Sequence, residues 1–307
     1  MDPHSNLSSQ DVWKSTILDE IFKALASSPD LSALLVYKGA RVLRVRLNEA
    51  LRASFDIDAC LSGLAATVGN PTDPASLERI RDLIHRAIVS HFESQDPVRY
   101  ELQSTQIANR RKIGPHPRGW DVYWLDIRLR NLSASGTPVN PEGPLRIDIA
   151  APEIFSNRSV SPLELDGFSV NAVTLERIAG EKLRAFLSCL PTYRRKIGEK
   201  TQIDRRVKDL YDLARIIRRR PIDDVEFWTT SGAEFQLACQ SRFIDCSGHS
   251  SFLDDWEATR MAFAAESTLP KDVTFDQAEA TIESIVNFLS TQRLIPFAFA
   301  LPDLVPG

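Results

Sequence analysis

Arg52-Ala53-Ser54-Phe55-Asp56-Ile57-Asp58 is the stretch on which the reading of this chain turns. Two carboxylates stand two residues apart inside a short apolar run. With Phe55, Ile57 and Ala59 directed into a core, strand periodicity brings Asp56 and Asp58 side by side on the opposite face. Like charges at that spacing repel, and a cation between them relieves the repulsion. Hard oxygen ligands one strand step apart suit Mg²⁺, which takes one or two protein carboxylates and fills its other positions with water and substrate phosphates. This is a geometry for phosphoryl or nucleotidyl transfer. An isolated Asp-x-Asp is more often a solvated edge strand, so the flanking sequence decides.

Upstream, Val12, Ile17, Ile21, Phe22 and Leu25 recur at helical spacing and predict an amphipathic helix from about residue 9 to 26, ended by Pro29. The apolar run Leu34-Leu35-Val36-Tyr37 reads as a buried strand. Lys38-Gly39-Ala40-Arg41 follows at once and opens a helix predicted over about 40–51. Glycine at a strand-to-helix turn lets backbone approach a ligand, and the free N–H groups of a helix start favour an anion.

Downstream, Asp73-Pro74 opens a predicted helix to about Phe92, and three strands are expected over 98–107, 121–132 and 145–150. The Gly/Pro-rich link 133–144 reads as a hairpin loop, and a short strand is expected near 163–170. A third carboxylate for a two-metal site should come from a neighbouring strand. Leu145-Arg146-Ile147-Asp148-Ile149 supplies Asp148 opposite a core face. Its rival, Asp126, shares a strand face with Arg128 and Arg130, where a cross-strand ion pair explains it. Asp148 is therefore preferred.

Beyond Thr174 the patterns are helical, predicted over 174–189, 203–219, 223–241, 252–266 and 275–292. In the first, Lys182 falls within the apolar stripe of Leu175, Ile178, Ala179 and Phe186. A lysine there must snorkel out or meet an anion, since an unpaired buried ammonium is costly. In the second, Val207, Leu210, Tyr211, Ala214 and Ile217 form the stripe, and Arg205, Lys208, Asp209 and Asp212 gather on the far side. That side reads either as a wet face with Lys208 and Asp212 paired, or as the wall of a cleft.

Composition sets the frame. The 307 residues, 43% hydrophobic and 25% charged, suit a soluble globular chain with room for two domains. No apolar run reaches membrane-spanning length, and Met1-Asp2-Pro3-His4 does not open a signal peptide, so a cytoplasmic location is expected. Cys60, Cys189, Cys239 and Cys246 are scattered and read as reduced, buried thiols rather than a zinc site or disulfide frame. The net charge of -4 hides an asymmetry. Residues 176–220 hold fourteen Lys and Arg against six Asp and Glu, an excess of eight that leaves the remainder about twelve negative. Such a region suits a polyphosphate or RNA partner, or else is a solvated face.

Placed in order, four stretches resemble the AbiEii-type nucleotidyltransferase toxins of the DNA polymerase beta-like nucleotidyltransferase superfamily. Lys38-Gly39-Ala40-Arg41-Val42-Leu43-Arg44 looks like the first motif, Arg52-x-Ser54-x-Asp56-x-Asp58 the second, Glu181-Lys182-Leu183-Arg184-Ala185 the lysine motif and Arg206 to Leu213 the closing K-D-x-x-D motif. The resemblance spans about residues 34–213. It departs at Ala40, where the family usually has Gly or Ser. A serine hydroxyl there would touch phosphate, whereas Ala40 offers its backbone N–H alone.

The resemblance implies an α+β fold. A nucleotidyltransferase-like mixed sheet with flanking helices would occupy residues 1–172, and a helical domain over 173–307 would contribute the lysine and K-D-x-x-D motifs to the cleft. It implies Mg²⁺ held by Asp56, Asp58 and Asp148, and a nucleoside triphosphate held by Lys38, Gly39, Ala40, Arg41, Ser54, Lys182 and Lys208. Asp209 and Asp212 would complete the catalytic set of Asp56, Asp58, Asp148 and Lys182. The implied partners are an RNA acceptor such as a tRNA 3′ end and a cognate antitoxin. Two other functions share these residues: nucleotidyl transfer to a small molecule or protein, and nucleotide binding without catalysis.

Overall fold

A computed structural model of the chain describes residues 8–49, 52–61, 73–110, 121–132, 144–151, 153–200 and 204–301. The first helix, α1 (Ser9–Ala26), begins in a capping box between Ser8 and Asp11 and buries Ile17, Leu18, Ile21, Phe22 and Leu25. Val12, expected on that stripe, lies exposed at its first turn. Pro29 starts a helix as well as ending one. It occupies the first turn of α2 (Pro29–Leu34), where its missing N–H costs nothing. The chain then enters β1 (Leu35–Lys38), α3 (Gly39–Leu47) and β2 (Ile57–Leu61). α3 stops earlier than expected because Asn48 adopts a left-handed conformation at φ 49°.

The next helix, α4 (Pro74–Glu93), is capped by the Asp73 carboxylate and buries Ile80, Ile84 and Ile88. After it come β3 (Tyr100–Asn109), β4 (Asp121–Asn131) and β5 (Leu145–Ala151), then β6 (Val160–Leu165) and β7 (Phe168–Val173). The single short strand expected near 163–170 is thus a hairpin, turned by Asp166 and Gly167 at positive φ. Most of the expected loop 133–144 lies outside the described residues. The strands it would join, β4 and β5, pair antiparallel.

Together the seven strands form one mixed sheet in the order β3-β4-β5-β2-β1-β7-β6. β2 lies parallel to β5 and antiparallel to β1, which in turn is parallel to β7. The alternation of β4 is regular: Tyr123, Leu125, Ile127 and Leu129 are buried, while the residues between them face outward. Arg46 of α3 locks the other end of the sheet by donating to the carbonyls of Ser161, Pro162, Ala172 and Val173.

Every described element after Val173 is helical: α5 (Leu175–Cys189), α6 (Pro191–Lys196), α7 (Val207–Arg219), α8 (Val225–Gln240), α9 (His249–Phe252), α10 (Trp256–Ala265) and α11 (Phe275–Thr291). The helix expected over 252–266 is α10, which starts later, at Trp256, and the short α9 precedes it. α5 and α8 cross at close range because Gly180 has no side chain, and a Cβ there would lie 2.5 Å from the backbone nitrogen of Phe235. One continuous apolar core runs from the sheet into these helices. All four cysteines are free and buried within the fold.

Candidate active site

The site is assembled where β1 ends and β2 begins, against the middle of β5. β1 exits at Lys38, paired in register with Asp58, and Asp58 is paired in turn with Asp148 across the parallel β2–β5 ladder. Asp56 precedes the first residue of β2 rather than lying within it, and Phe55 is half-buried beside the Lys14 ammonium rather than in the core. The three carboxylates nevertheless converge, with ligand oxygens of Asp56, Asp58 and Asp148 all within 4.8 Å of one another. Of the two acids weighed for the third position, the fold brings Asp148 beside the pair. Asp126 accepts from Nε of Arg146 at 2.9 Å, across the strand pair.

Three acids this close disturb one another. Burial, then repulsion from Asp56, pushes the Asp58 carboxyl up to about 7. The same two effects push Asp148 up to about 6. Three hard oxygen donors that converge and repel one another fit a divalent ion of the Mg²⁺ class.

Backbone and side chains brace the triad. Gly39 turns at φ +78°, and a Cβ there would lie 2.0 Å from Oδ2 of Asp58. Only glycine permits both the turn and the approach. The Ser54 hydroxyl donates to Asp56 Oδ1 at 3.0 Å. Arg41, expected to bind nucleotide, points elsewhere. Its guanidinium donates to the carbonyls of Asp56 (3.0 Å), Ser54 (2.8 Å) and Ser15 (3.2 Å) and pairs with Asp19, so it supports the strand beneath the triad. Lys38 likewise turns inward, 3.0 Å from Glu153.

A cleft of about 360 Å³ opens over these residues. Gly39, Ala40, Ser54 and the triad form one wall, and Lys182, Arg206, Lys208, Asp209 and Glu266 the other. α7 starts at Val207 rather than 203, because Arg206 is held at φ 53°. The far side of α7 is not wet. Asp209 and Asp212 are buried, and the Lys182 ammonium lies 3.1 Å from Asp209 and 2.6 Å from Asp212. Arg52 adds a bidentate pair with Asp212 at 2.9 and 3.2 Å, and Arg206 meets Asp209 at 2.8 Å. Lys182 therefore meets its anions within the protein, and it still lines the cleft. Burial works against the charge on Lys182, but Asp212 and Asp209 overcome it and raise its pKa. Lys208 pairs with Glu266 at 3.4 Å rather than with Asp212.

Arg52 and Arg206 were visible as motif residues without a role, and the structure gives them one. A second group was not visible at all. Glu153 receives Lys38, Arg242 and Arg177, while Arg177 is wholly buried between Glu153, Glu181 and Glu234. Glu153 follows β5, Glu234 sits on α8 and Arg177 on α5, so this network ties the sheet to the helices. No sequence spacing links residues that far apart.

The basic segment 176–220 also changes its meaning. Arg194 pairs with Glu199, Lys196 with Asp245, Arg205 with Asp255, Arg215 and Arg218 with Asp272, and Arg219 with Glu49. Apart from the local Arg194–Glu199 pair, these partners are carboxylates distant in sequence, and they match much of the local positive excess.

A family model described as the nucleotidyl transferase AbiEii toxin of a type IV toxin–antitoxin system matches residues 21–285. The chain belongs to the AbiEii nucleotidyltransferase toxin family. AbiEii membership makes it a nucleotidyltransferase, and it sets the carboxylate triad and the cleft above it within an enzyme of that class. Among solved structures, the nucleotidyltransferase toxin MenT4 from Mycobacterium tuberculosis is similar at 16% identity, over 94% of this chain and 89% of that one, with a TM-score of 0.42. No curated protein matches the AbiEii chain described here. Among the described residues no helix is long and apolar enough to cross a membrane.

Proposed function

We propose that this AbiEii-family chain transfers a nucleotidyl group from a nucleoside triphosphate to the 3′ end of an RNA, tRNA being the favoured acceptor, and acts in the cytoplasm as a toxin restrained by a cognate antitoxin. The observation that carries the reading is the convergence of Asp56, Asp58 and Asp148 beside the helix start at Gly39. Residues 1–172 would supply the metal and phosphate side of the cleft, and residues 173–307 its opposite wall.

In the reaction, the acceptor hydroxyl oxygen forms a bond to the α-phosphorus and the bond from that phosphorus to the bridging oxygen breaks. Pyrophosphate leaves with the electron pair, and the hydroxyl proton passes to a base. Asp56 and Asp58 would hold the cations, with Asp148 on the acceptor side. Mg²⁺ bound there supplies charge neutralisation for the phosphates and acidifies the attacking hydroxyl. The backbone N–H groups at Gly39 and Ala40 would receive phosphate oxygens, as the start of a helix can. Ala40 suffices for this because the donor is main chain. Lys182, Lys208 and Arg206 face the same volume and would offset the remaining phosphate charge, with Asp209 and Asp212 fixing the first of them.

The test is pyrophosphate release measured with Mg²⁺ and each nucleoside triphosphate, with and without RNA. RNA-dependent release that Asp58→Asn abolishes supports the reading. Release that is independent of RNA points to a small-molecule or protein acceptor, and tight nucleotide binding with no release points to a non-catalytic protein.

A further inference from the structure

The outer half of the sheet has one covered face and one open face. Tyr123, Leu125, Ile127, Ile147 and Ile149 enter the core, whereas Ala108, Arg110 and Arg128 are exposed on the other side and Trp124 and Arg146 are half-buried there. On this open face Trp124 stands directly across the β4–β5 pairing from Asp148. The guanidinium carbon of Arg146 lies 4.1 Å from the centre of the Trp124 ring, and that of Arg110 lies 5.3 Å from it. Two cations are therefore gathered on one indole at the edge of the carboxylate triad.

The chemistry of that arrangement is specific. A guanidinium laid against an aromatic ring gives up rotational freedom but keeps its in-plane N–H donors, which match the oxygens of a phosphodiester. Arg146 is further fixed by its Nε bond to Asp126 at 2.9 Å. Neighbouring strands lie about 4.8 Å apart, and two residues along a strand span about 7 Å. The platform thus begins within one nucleotide of Asp148. Arg110 is exposed, and Arg146 engages Asp126 through Nε, which leaves its terminal N–H groups; in the helical half, much of the basic segment is matched by carboxylates.

We infer that Arg110 and Arg146, held on Trp124, bind the terminal phosphodiester of a single-stranded RNA acceptor and present its 3′ end to Asp148. The inference rests on the transferase reading and narrows the acceptor to a polynucleotide strand, since a free nucleoside, a small alcohol or a protein hydroxyl would leave the two guanidinium groups unused.

The experiment separates the two claims by measuring binding without turnover. A short fluorescent single-stranded RNA is titrated, with Ca²⁺ replacing Mg²⁺ and no nucleotide present, against the full chain and against Arg110→Gln, Arg110→Gln/Arg146→Gln and Arg219→Gln. The double variant should bind about 10- to 100-fold more weakly, and its slope of log K against log salt should shrink by about 0.7 for each phosphate that is no longer neutralised. Arg110→Gln, an exposed change, should lose part of that affinity with an unchanged thermal midpoint. Arg219→Gln, already paired with Glu49, should change affinity less than twofold. Unaltered affinity and slope in the arginine variants, or no RNA binding by the unmodified chain, would overturn the inference. Failure of nucleotide transfer alongside intact, Arg110-dependent RNA binding would instead count against the transferase reading.

Discussion

Gly39 and Asp58 occupy adjoining space so closely that a methyl group on the first would collide with the carboxylate of the second, 2.0 Å from its Oδ2. The turn that ends β1 and the strand that presents the central acid are therefore one structural unit. The collision also involves the Cγ and Cβ of Asp58, at 2.8 and 2.9 Å, so rotating the carboxylate alone cannot relieve it.

Gly39→Ala should accordingly displace Asp58 as well as strain the turn. The positive φ of 78° costs about 1–2 kcal/mol for a residue with a Cβ. Loss of metal-dependent activity should exceed that small loss of stability. Calorimetric titration with Mn²⁺ and thermal unfolding of the same variant check both halves. Wild-type metal affinity in the variant would contradict the account.

Protonation follows from the same crowding. Asp58, with an ordinary value of 3.8, is raised to about 7, and Asp148 is raised to about 6. Groups with raised folded-state pKa values hold protons that the unfolded chain has released. Their contribution to stability is present at low pH and is lost as pH climbs from about 4 through 7. A bound divalent ion replaces those protons and reverses the penalty. The rise in melting temperature on adding Mg²⁺ should therefore be several degrees larger at pH 8 than at pH 5, with proton release on binding near pH 6 to 7. Differential scanning fluorimetry across that range checks it.

Asp212 should prove a structural residue. It is fully buried, paired with Lys182 at 2.6 Å and bidentate with Arg52. Removing it as Asp212→Ala leaves two desolvated cations, a loss of roughly 3–5 kcal/mol by urea unfolding. Asp212→Asn, of the same size, should also destabilise, because it keeps the shape without the charge.

How much of this was legible in the sequence depended on distance along the chain. The outward positions of Asp58 and Asp148 and the buried position of Lys182 follow from periodicities of two and 3.6, which act within a single element, whereas Asp56 reaches the triad from the turn before β2. Local pattern is silent where a partner comes from another element. For Asp209 and Asp212 the sequence leaves a wet face and a cleft wall both open, because Lys182 and Arg52, which bury them, lie 27 or more residues away on other segments. Arg41 looked like a nucleotide ligand because nothing local reveals Asp19 and the carbonyls that capture it. The basic run looked free for the same reason, its partners being Glu49, Asp245, Asp255 and Asp272. Short elements such as α2 are not anticipated, and the β6–β7 hairpin reads as one short strand, because a few residues carry too little periodicity.

Asp126 and Asp148 provide an internal control. Both sit on outward faces of adjacent strands, but Asp126 is matched by Arg146 and Asp148 joins the triad. Asp148→Asn should reduce nucleotidyl transfer on the order of 10²–10³-fold. Asp126→Asn, which loosens Arg146, should weaken RNA binding but leave the chemical step near wild type, and single-turnover rates with nucleotide and RNA both saturating separate the two.

The most direct measurement is incubation of the purified chain with Mg²⁺, each labelled nucleoside triphosphate in turn and total bacterial RNA, resolved on a denaturing gel beside the Asp56→Ala protein. The account predicts label in RNA with the unmodified chain and none with Asp56→Ala, whose fold should be intact by circular dichroism. Equal labelling by the two proteins, or no labelled RNA from a chain that binds nucleotide, would contradict it.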